Sequence, residues 1–239
     1  MRTEPIDDFS AAKQLAKDTF YAALDNRASV DKAVTYSRMS EALVIYVQLM
    51  TGFRIGDLVD KKTRFTNDSV VEKVVFNAGK TLYMPHISIK EQKTLRGKKP
   101  PRDVPIDAQT LKMLRQHTEF LVNSWPDIKL LGKGAVDSLP VFYNPATGKA
   151  FSRQWIDQRL RGGMYRKTKL GNSLRELTTG RRISTHSLRK SYALKLYTHT
   201  GGNIAFVSTA LEHKSVKTTQ LYLNLAQADF INTHLEALK

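Results

Sequence analysis

The stretch LEHKSVKTTQLYLN, residues 211–224, sets a histidine, His213, nine positions ahead of a tyrosine, Tyr222. A phenol has an ordinary pKa of about 10 and is a poor nucleophile at neutral pH. Tyr222 is therefore either a packed ring with a polar tip or a covalent nucleophile that needs help from its surroundings. Leu221 and Leu223 flank it and read as the core anchors, which leaves the phenol to point elsewhere. Three other segments carry residues fit for charge or proton work. In THSLRKSYA (185–193), His186 and Arg189 stand at i, i+3 and share a helical face. In TGFRIGDL (51–58), Arg54 closes a long apolar run and Asp57 follows three residues on. In IKEQKT (89–94), a strand pattern runs into Lys93, with Lys90 as a rival cation. Each has a plain structural alternative: an Arg54–Asp57 ion pair, a helix-capping His213, a solvated lysine.

The charge balance narrows the choice of partner. In 239 residues, Lys plus Arg number 38 and Asp plus Glu 22, a formal net charge of +16. Two stretches hold most of it: KEQKTLRGKKPPR (90–102) is net +5, and residues 151–182 are net +7. Such density points to a polyanion, nucleic acid or an anionic membrane surface. The aromatic-bearing pattern FSRQWIDQRL, which opens the second stretch, favours a surface that follows phosphates. With no cysteine there is no disulfide framework and no thiolate metal site. No HExxH, P-loop or GxGxxG pattern occurs. The N-terminus MRTEPIDDFS is polar and acidic, unlike a signal peptide, and the longest apolar run, ALVIYVQLM (42–50), is too short to span a bilayer. A soluble, intracellular protein is expected.

These residues must be positioned by a mostly helical frame. Apolar spacings of three and four predict helices over 8–25 and 31–51, with Gly52 as a stop and a short helix in IGDLVDK. Residues 70–76, 81–90 and 104–106 read as strands, the last after a basic loop with two prolines. A helix over 108–123 and a Gly/Pro-bearing loop follow, then a helix over about 151–162. Four short helices close the chain, near 186–199, 203–211, 216–223 and 226–238. The expected fold class is α+β, mostly α, with a small three-stranded antiparallel sheet.

In order and context, Arg before an acidic residue, Lys on a hairpin, His-x-x-Arg, and His with Tyr nine residues later resemble the tyrosine recombinase, or phage integrase, family. The resemblance covers residue 17 to the end. It implies that Tyr222 attacks a DNA phosphodiester and becomes joined to the 3′ phosphate, so that rejoining through a Holliday junction needs no ATP. Arg54 and Arg189 are then placed to hold the non-bridging oxygens as they gain charge. Lys93 resembles the family's general acid for the 5′ leaving oxygen, and His186 its proton-handling histidine. His213 resembles the donor to a non-bridging oxygen, and Asp57 a group that orients Arg54 or His186. No metal or other cofactor is implied. Double-stranded DNA is the implied partner, with contacts from Lys90, Arg96, Lys98, Lys99, Arg102, Arg153, Arg159, Arg161, Arg166, Lys167, Lys169, Arg181 and Arg182. Accessory DNA-bending proteins belong to the same picture, which places the protein in the cytoplasm, on DNA.

Two departures stand out. Glu212 occupies the position where the family usually has Gly, and Glu adopts positive φ reluctantly. The helical domain that usually precedes Arg54 is missing, so the chain divides into an extension (1–16) and a catalytic domain (17–239). Met1 favours a natural short recombinase, like the fimbrial-switch inverting enzymes, over an excised domain. The apolar stripe Ala228, Ile231, Leu235 and Leu238 is expected to join a monomer in solution into a homo-tetramer on paired sites. Type IB topoisomerase-like relaxation, or a DNA-binding accessory role, are the competing readings.

Overall fold

A helix that is apolar on every side must be wrapped on every side. The ALVIYVQLM segment lies in such a helix, α2 (Lys32–Thr51), in which residues 39–49 are all buried. Its main neighbours are α1 (Phe9–Asp25), α4 (Ala108–Ser124) and α9 (Thr185–His199). The computed structural model describes residues 5–60, 65–77, 80–90, 100–161, 168–178 and 183–223. Among them, no helix is long and apolar enough to cross a membrane.

Several of the polar groups that α2 buries find partners, while the Tyr36 and Tyr46 hydroxyls are buried without one among the described residues. Ser40 bonds His117 Nε2 at 2.8 Å, and Thr51 donates to the Val47 carbonyl at 2.6 Å. Gln48 donates to the Phe53 carbonyl at 3.1 Å. Burial drives the pKa of His117 down to about 3, so its ring is neutral and stacks on Tyr36 at 4.6 Å.

After α2 come the short helix α3 (Ile55–Leu58) and a sheet of β1 (Val70–Asn77), β2 (Lys80–Ile89) and β3 (Arg102–Pro105). The strands run antiparallel in the order β1-β2-β3, with Val70 opposite Ile87 and Ile89 opposite Arg102. Beyond α4 lie α5 (Pro126–Lys129) and α6 (Lys133–Asp137), then a two-stranded ribbon of β4 (Tyr143–Asn144) and β5 (Lys149–Ala150). The chain continues through α7 (Arg153–Arg161), α8 (Lys169–Glu176), α9, α10 (Ile204–Ala210) and α11 (Val216–Leu223).

The mostly helical class and the three-stranded antiparallel sheet are as the sequence leads one to expect. The differences fall where the apolar signal is short. Helix α8, inside the second basic stretch, buries Leu170, Gly171 and Leu174. It comes so close to α7 that a Cβ on Gly171 would lie 2.2 Å from the Arg159 carbonyl oxygen. Helices α5 and α6 and the β4–β5 ribbon replace the expected loop, each being too short to show a period. Helix α1 runs unbroken across residue 16, and Ile6 is buried with its N–H donating to Ser191 Oγ at 2.7 Å. Residues 6–16 thus pack on the same core as the rest. The expected helix over 226–238 lies outside the described residues.

Gly52 ends α2 in the left-handed region, φ 61°, with its N–H on the Gln48 carbonyl at 2.9 Å. A Cβ there would also lie 2.2 Å from the Tyr192 ring. Gly52→Ala combines left-handed strain with overpacking, and should destabilise the fold by roughly 2–4 kcal/mol. Urea denaturation measures this; a loss below about 1 kcal/mol would mean that the turn relaxes freely.

Candidate active site

The turn at Gly52 decides where Arg54 goes. Residue 54 leaves the left-handed position in an extended conformation, φ −67° and ψ 142°, and forms the N-cap of α3. Asp57 sits in the first turn of α3, is buried, and donates its N–H to the Arg54 carbonyl at 2.8 Å. The charge of the Asp57 carboxylate favours protonated Arg189 and Arg102.

Helix α9 supplies the next pair. Ser184 caps it through a reciprocal box with Ser187, which fixes the first turn. His186 lies in that turn and Arg189 one turn further on. Arg189 is only 4% exposed. It donates to the Gly52 carbonyl and, at 2.8 Å, to the Leu211 carbonyl. It therefore ties the end of α2 to the end of α10. Burial, reinforced by the charges of Arg54 and Arg102, lowers its pKa to about 9, so it remains a cation at neutral pH.

The residue after Leu211 is Glu212, at φ 51°, the one non-glycine with positive φ among the described residues. The left-handed backbone typical of glycine is thus present, adopted by a glutamate. It turns the chain so that the His213 N–H reaches the Ser208 carbonyl at 3.0 Å. His213 Nδ1 then bonds the buried Thr219 hydroxyl at 2.8 Å, and its ring meets that of Tyr222 edge-on at 5.3 Å.

Tyr222 answers the question of the packed ring. It is partly buried against a small cluster of Ala193, Val207 and Leu211, yet its hydroxyl points back to the head of α9 and donates to the His186 carbonyl at 3.4 Å. Burial raises its pKa to about 12, against the opposing pull of Arg189 and of Arg54. Leu221, expected as a core anchor, is instead 56% exposed; Leu223 and the Tyr222 ring do the packing.

His186 presents its ring to solvent, but partial burial still lowers its pKa; Asp157 of α7 opposes this, while Arg189, Arg161 and Lys190 add to it. Two residues here escape the sequence reading. Asp157 is the acidic neighbour of His186, and nothing in its own segment marks it. Lys190 is buried, with its ammonium 5.6 Å from the centre of the Tyr222 ring. Its spacing of four from His186 was the available signal.

The structure thus brings Arg54, Asp57, His186, Arg189, His213 and Tyr222 together. Lys90 directly follows β2 and is partly buried. Lys93, Arg96, Lys98, Lys99, Arg166, Lys167, Arg181 and Arg182 lie outside the described residues. Arg161 and Lys169 are exposed, and exposed Arg153 pairs with Asp60 at 2.8 Å. Two expected phosphate contacts require correction. Arg159 is held inside by Glu41 at 3.3 Å and Ser37 at 2.6 Å, stacked on Trp155. Arg102 is 6% exposed and donates to the Thr51 carbonyl at 2.7 Å. Both guanidiniums are engaged by the protein's own acceptors.

A helical body with a small sheet, gathering two arginines, two histidines and a tyrosine, has the form of a tyrosine-recombinase catalytic domain. The profile of the phage integrase family matches residues 19–229, and the chain belongs to that family. Among solved structures it is similar to the XerH site-specific recombinase bound to a palindromic difH substrate, in a post-cleavage complex. The TM-score is 0.51 at 18% identity, over 97% of this chain and 53% of that one. It is also similar to the XerA recombinase, with TM-score 0.50 and 19% identity over 99% of this chain and 66% of that one. At such identities the likeness is one of fold, and the chain spans about half to two thirds of the length of these recombinases. No curated protein matches it by sequence.

The backbone at residue 212 can be tested apart from the charge there. Glu212→Gly and Glu212→Ala both remove the carboxylate, but only Ala keeps the left-handed penalty. The Gly variant should be the more stable by about 1 kcal/mol. Equal denaturation midpoints would show that the turn carries no strain.

Proposed function

We propose that the chain is a site-specific DNA recombinase that cuts and rejoins strands through a 3′-phosphotyrosyl intermediate. The observation that carries this reading is the position of the Tyr222 hydroxyl, which reaches the His186 carbonyl at the head of α9 and lies within the field of Arg189 and Arg54. A packing tyrosine has no need of two arginines near its oxygen. A nucleophile that attacks a phosphodiester needs cations beside it, because charge builds on the non-bridging oxygens as the bond forms.

In this reading Arg54 and Arg189 hold those oxygens and His213 donates a further hydrogen bond. The tyrosine proton leaves towards His186, which its lowered pKa keeps neutral at pH 7 and whose acidic neighbour is Asp157. Asp57 steadies the arginines. Lys93 protonates the departing 5′ oxygen, and the remaining basic surface residues follow the duplex backbone. A head-to-tail tetramer on two paired sites, joined through residues 226–238, belongs to the same proposal.

The test is covalent capture. A pool of nicked suicide duplexes of randomised sequence is incubated with the protein, and DNA that stays attached in denaturant is sequenced. A recombinase captures a defined site; a topoisomerase captures with little preference; a plain binder captures nothing. Tyr222→Phe keeps the ring and its packing and loses only the oxygen. It should bind DNA within about threefold of wild type and form no covalent complex. A Phe variant that still attaches would assign the chemistry to another residue.

Lys93→Ala should slow cleavage of an ordinary phosphodiester by about 10²-fold or more. On a substrate whose 5′ leaving atom is sulfur it should lose far less, since a thiolate departs without a proton. Equal losses on both substrates would reduce Lys93 to a DNA contact, and rescue of Lys90→Ala instead would transfer the acid role to Lys90.

A further inference from the structure

Arg102 sits where a surface cation was expected and does something else. It opens β3, directly after the basic loop, and pairs with Ile89 at the end of β2. Its guanidinium turns inward to the end of α2. It donates to the Thr51 carbonyl at 2.7 Å and to the Gly52 carbonyl at 3.5 Å, and lies 4.5 Å over the centre of the Phe53 ring. One side chain thus grips the three residues that precede Arg54. Tyr192 of α9 closes the other side of this turn, against Gly52.

A cation at the C-terminus of a helix is ordinary in itself, because the last carbonyls and the helix dipole attract it. Two features are not ordinary. The Gly52 carbonyl also accepts from Arg189, so two guanidiniums share one oxygen. Both are almost wholly buried, where like charges repel strongly and an apolar side chain of similar size is often the more stable choice. Asp57 and Glu212 are the nearby acids that offset this. An arrangement that strains stability to hold arginines in one geometry is what an oxyanion site requires.

We infer that Arg102 is a positioning residue for strand cleavage: its fork on the Thr51 and Gly52 carbonyls fixes Arg54 and Arg189 relative to each other and to the strand pair that leads into Lys93. The inference rests on the function proposed above. Arg102 touches no DNA in this role; it acts through the shared carbonyl. A planar five-donor fork can hold two carbonyls and stack on a ring at once, which a lysine cannot. Misplacement of a reacting group by about 1 Å costs on the order of 10²-fold in rate.

The experiment uses the full chain and the duplex recovered by covalent capture, in single-turnover cleavage at saturating protein. Arg102→Met should cleave about 10²-fold more slowly than wild type while its DNA affinity and salt dependence stay within about threefold. Arg102→Lys, which keeps the charge and is the safer variant for folding, should fall between the two. The deciding readout is a duplex with a neutral methylphosphonate at the scissile position. It carries less charge for the arginines to hold, so the Arg102→Met penalty should shrink together with that of Arg54→Ala. A fold merely loosened by the substitution would slow both substrates alike, and that result overturns the inference. So does an unchanged cleavage rate, or a fall in affinity with a shallower salt slope, which would make Arg102 a phosphate contact. If wild type captures no DNA at all, the recombinase reading fails and the inference with it; if wild type captures and only the Arg102 predictions fail, the recombinase reading stands.

Discussion

The carbonyl of Gly52 is the point on which the site depends. It accepts from Arg189 and from Arg102, so α2, β3 and α9 meet at one oxygen, and the second bond of Arg189 to the Leu211 carbonyl adds α10. The oxygen is available because the last carbonyls of a helix have no partner within it. Its direction is set by a left-handed residue that must also leave room for the Tyr192 ring, two conditions that glycine alone meets together. Arg54 leaves this turn extended, and its reach into the site follows from the turn rather than from α3.

The electrostatics have a consequence for timing. Arg189 stays protonated at neutral pH although burial has weakened its hold on the proton, so it is a cation short of counter-charge. Tyr222, with its pKa near 12, stays a phenol. The resting site is therefore positive and its phenol protonated. On the proposed chemistry an entering phosphate supplies the missing negative charge and completes the hydrogen bonds of both arginines. Loss of the phenol proton then comes late, with DNA in place, which protects against attack by an idle site.

The long, strongly periodic elements were legible. Helices α1, α2, α4, α9 and α11 and the three strands fall within a residue or two of their expected bounds, most of them because they bury apolar residues against the main core. The types of the site residues were legible too, from order and spacing. What could not be read was the direction of side chains. KKPPR looks like one more solvated run, and nothing in its composition shows that Arg102 turns inward. Leu221 and Leu223 look equivalent beside Tyr222, yet a helix of eight residues gives them different surroundings. Asp157 meets His186 only through the packing of α7 against α9, a long-range contact with no local trace.

The same distinction applies to the net charge. A formal +16 suggests a broad phosphate-following surface, but part of it is consumed within the fold. Lys73 pairs with Asp103, and Arg153 with Asp60. Arg159 lies against Glu41, whose burial raises its pKa while the Thr168 hydroxyl and then the arginine oppose that. This last pair braces α7 and α8 against α2, and Gly171 lets the two helices approach. The second basic stretch is thus a strut as well as a charged surface. The strut also carries Asp157, which lies 3.9 Å from Arg161 on its own helix and whose charge acts on His186 of α9. The i, i+4 pair with Arg161 is weak, so the Asp157 charge is left to favour a proton on His186. In a segment chosen for its positive charge, the group whose charge favours a proton on His186 is the acid.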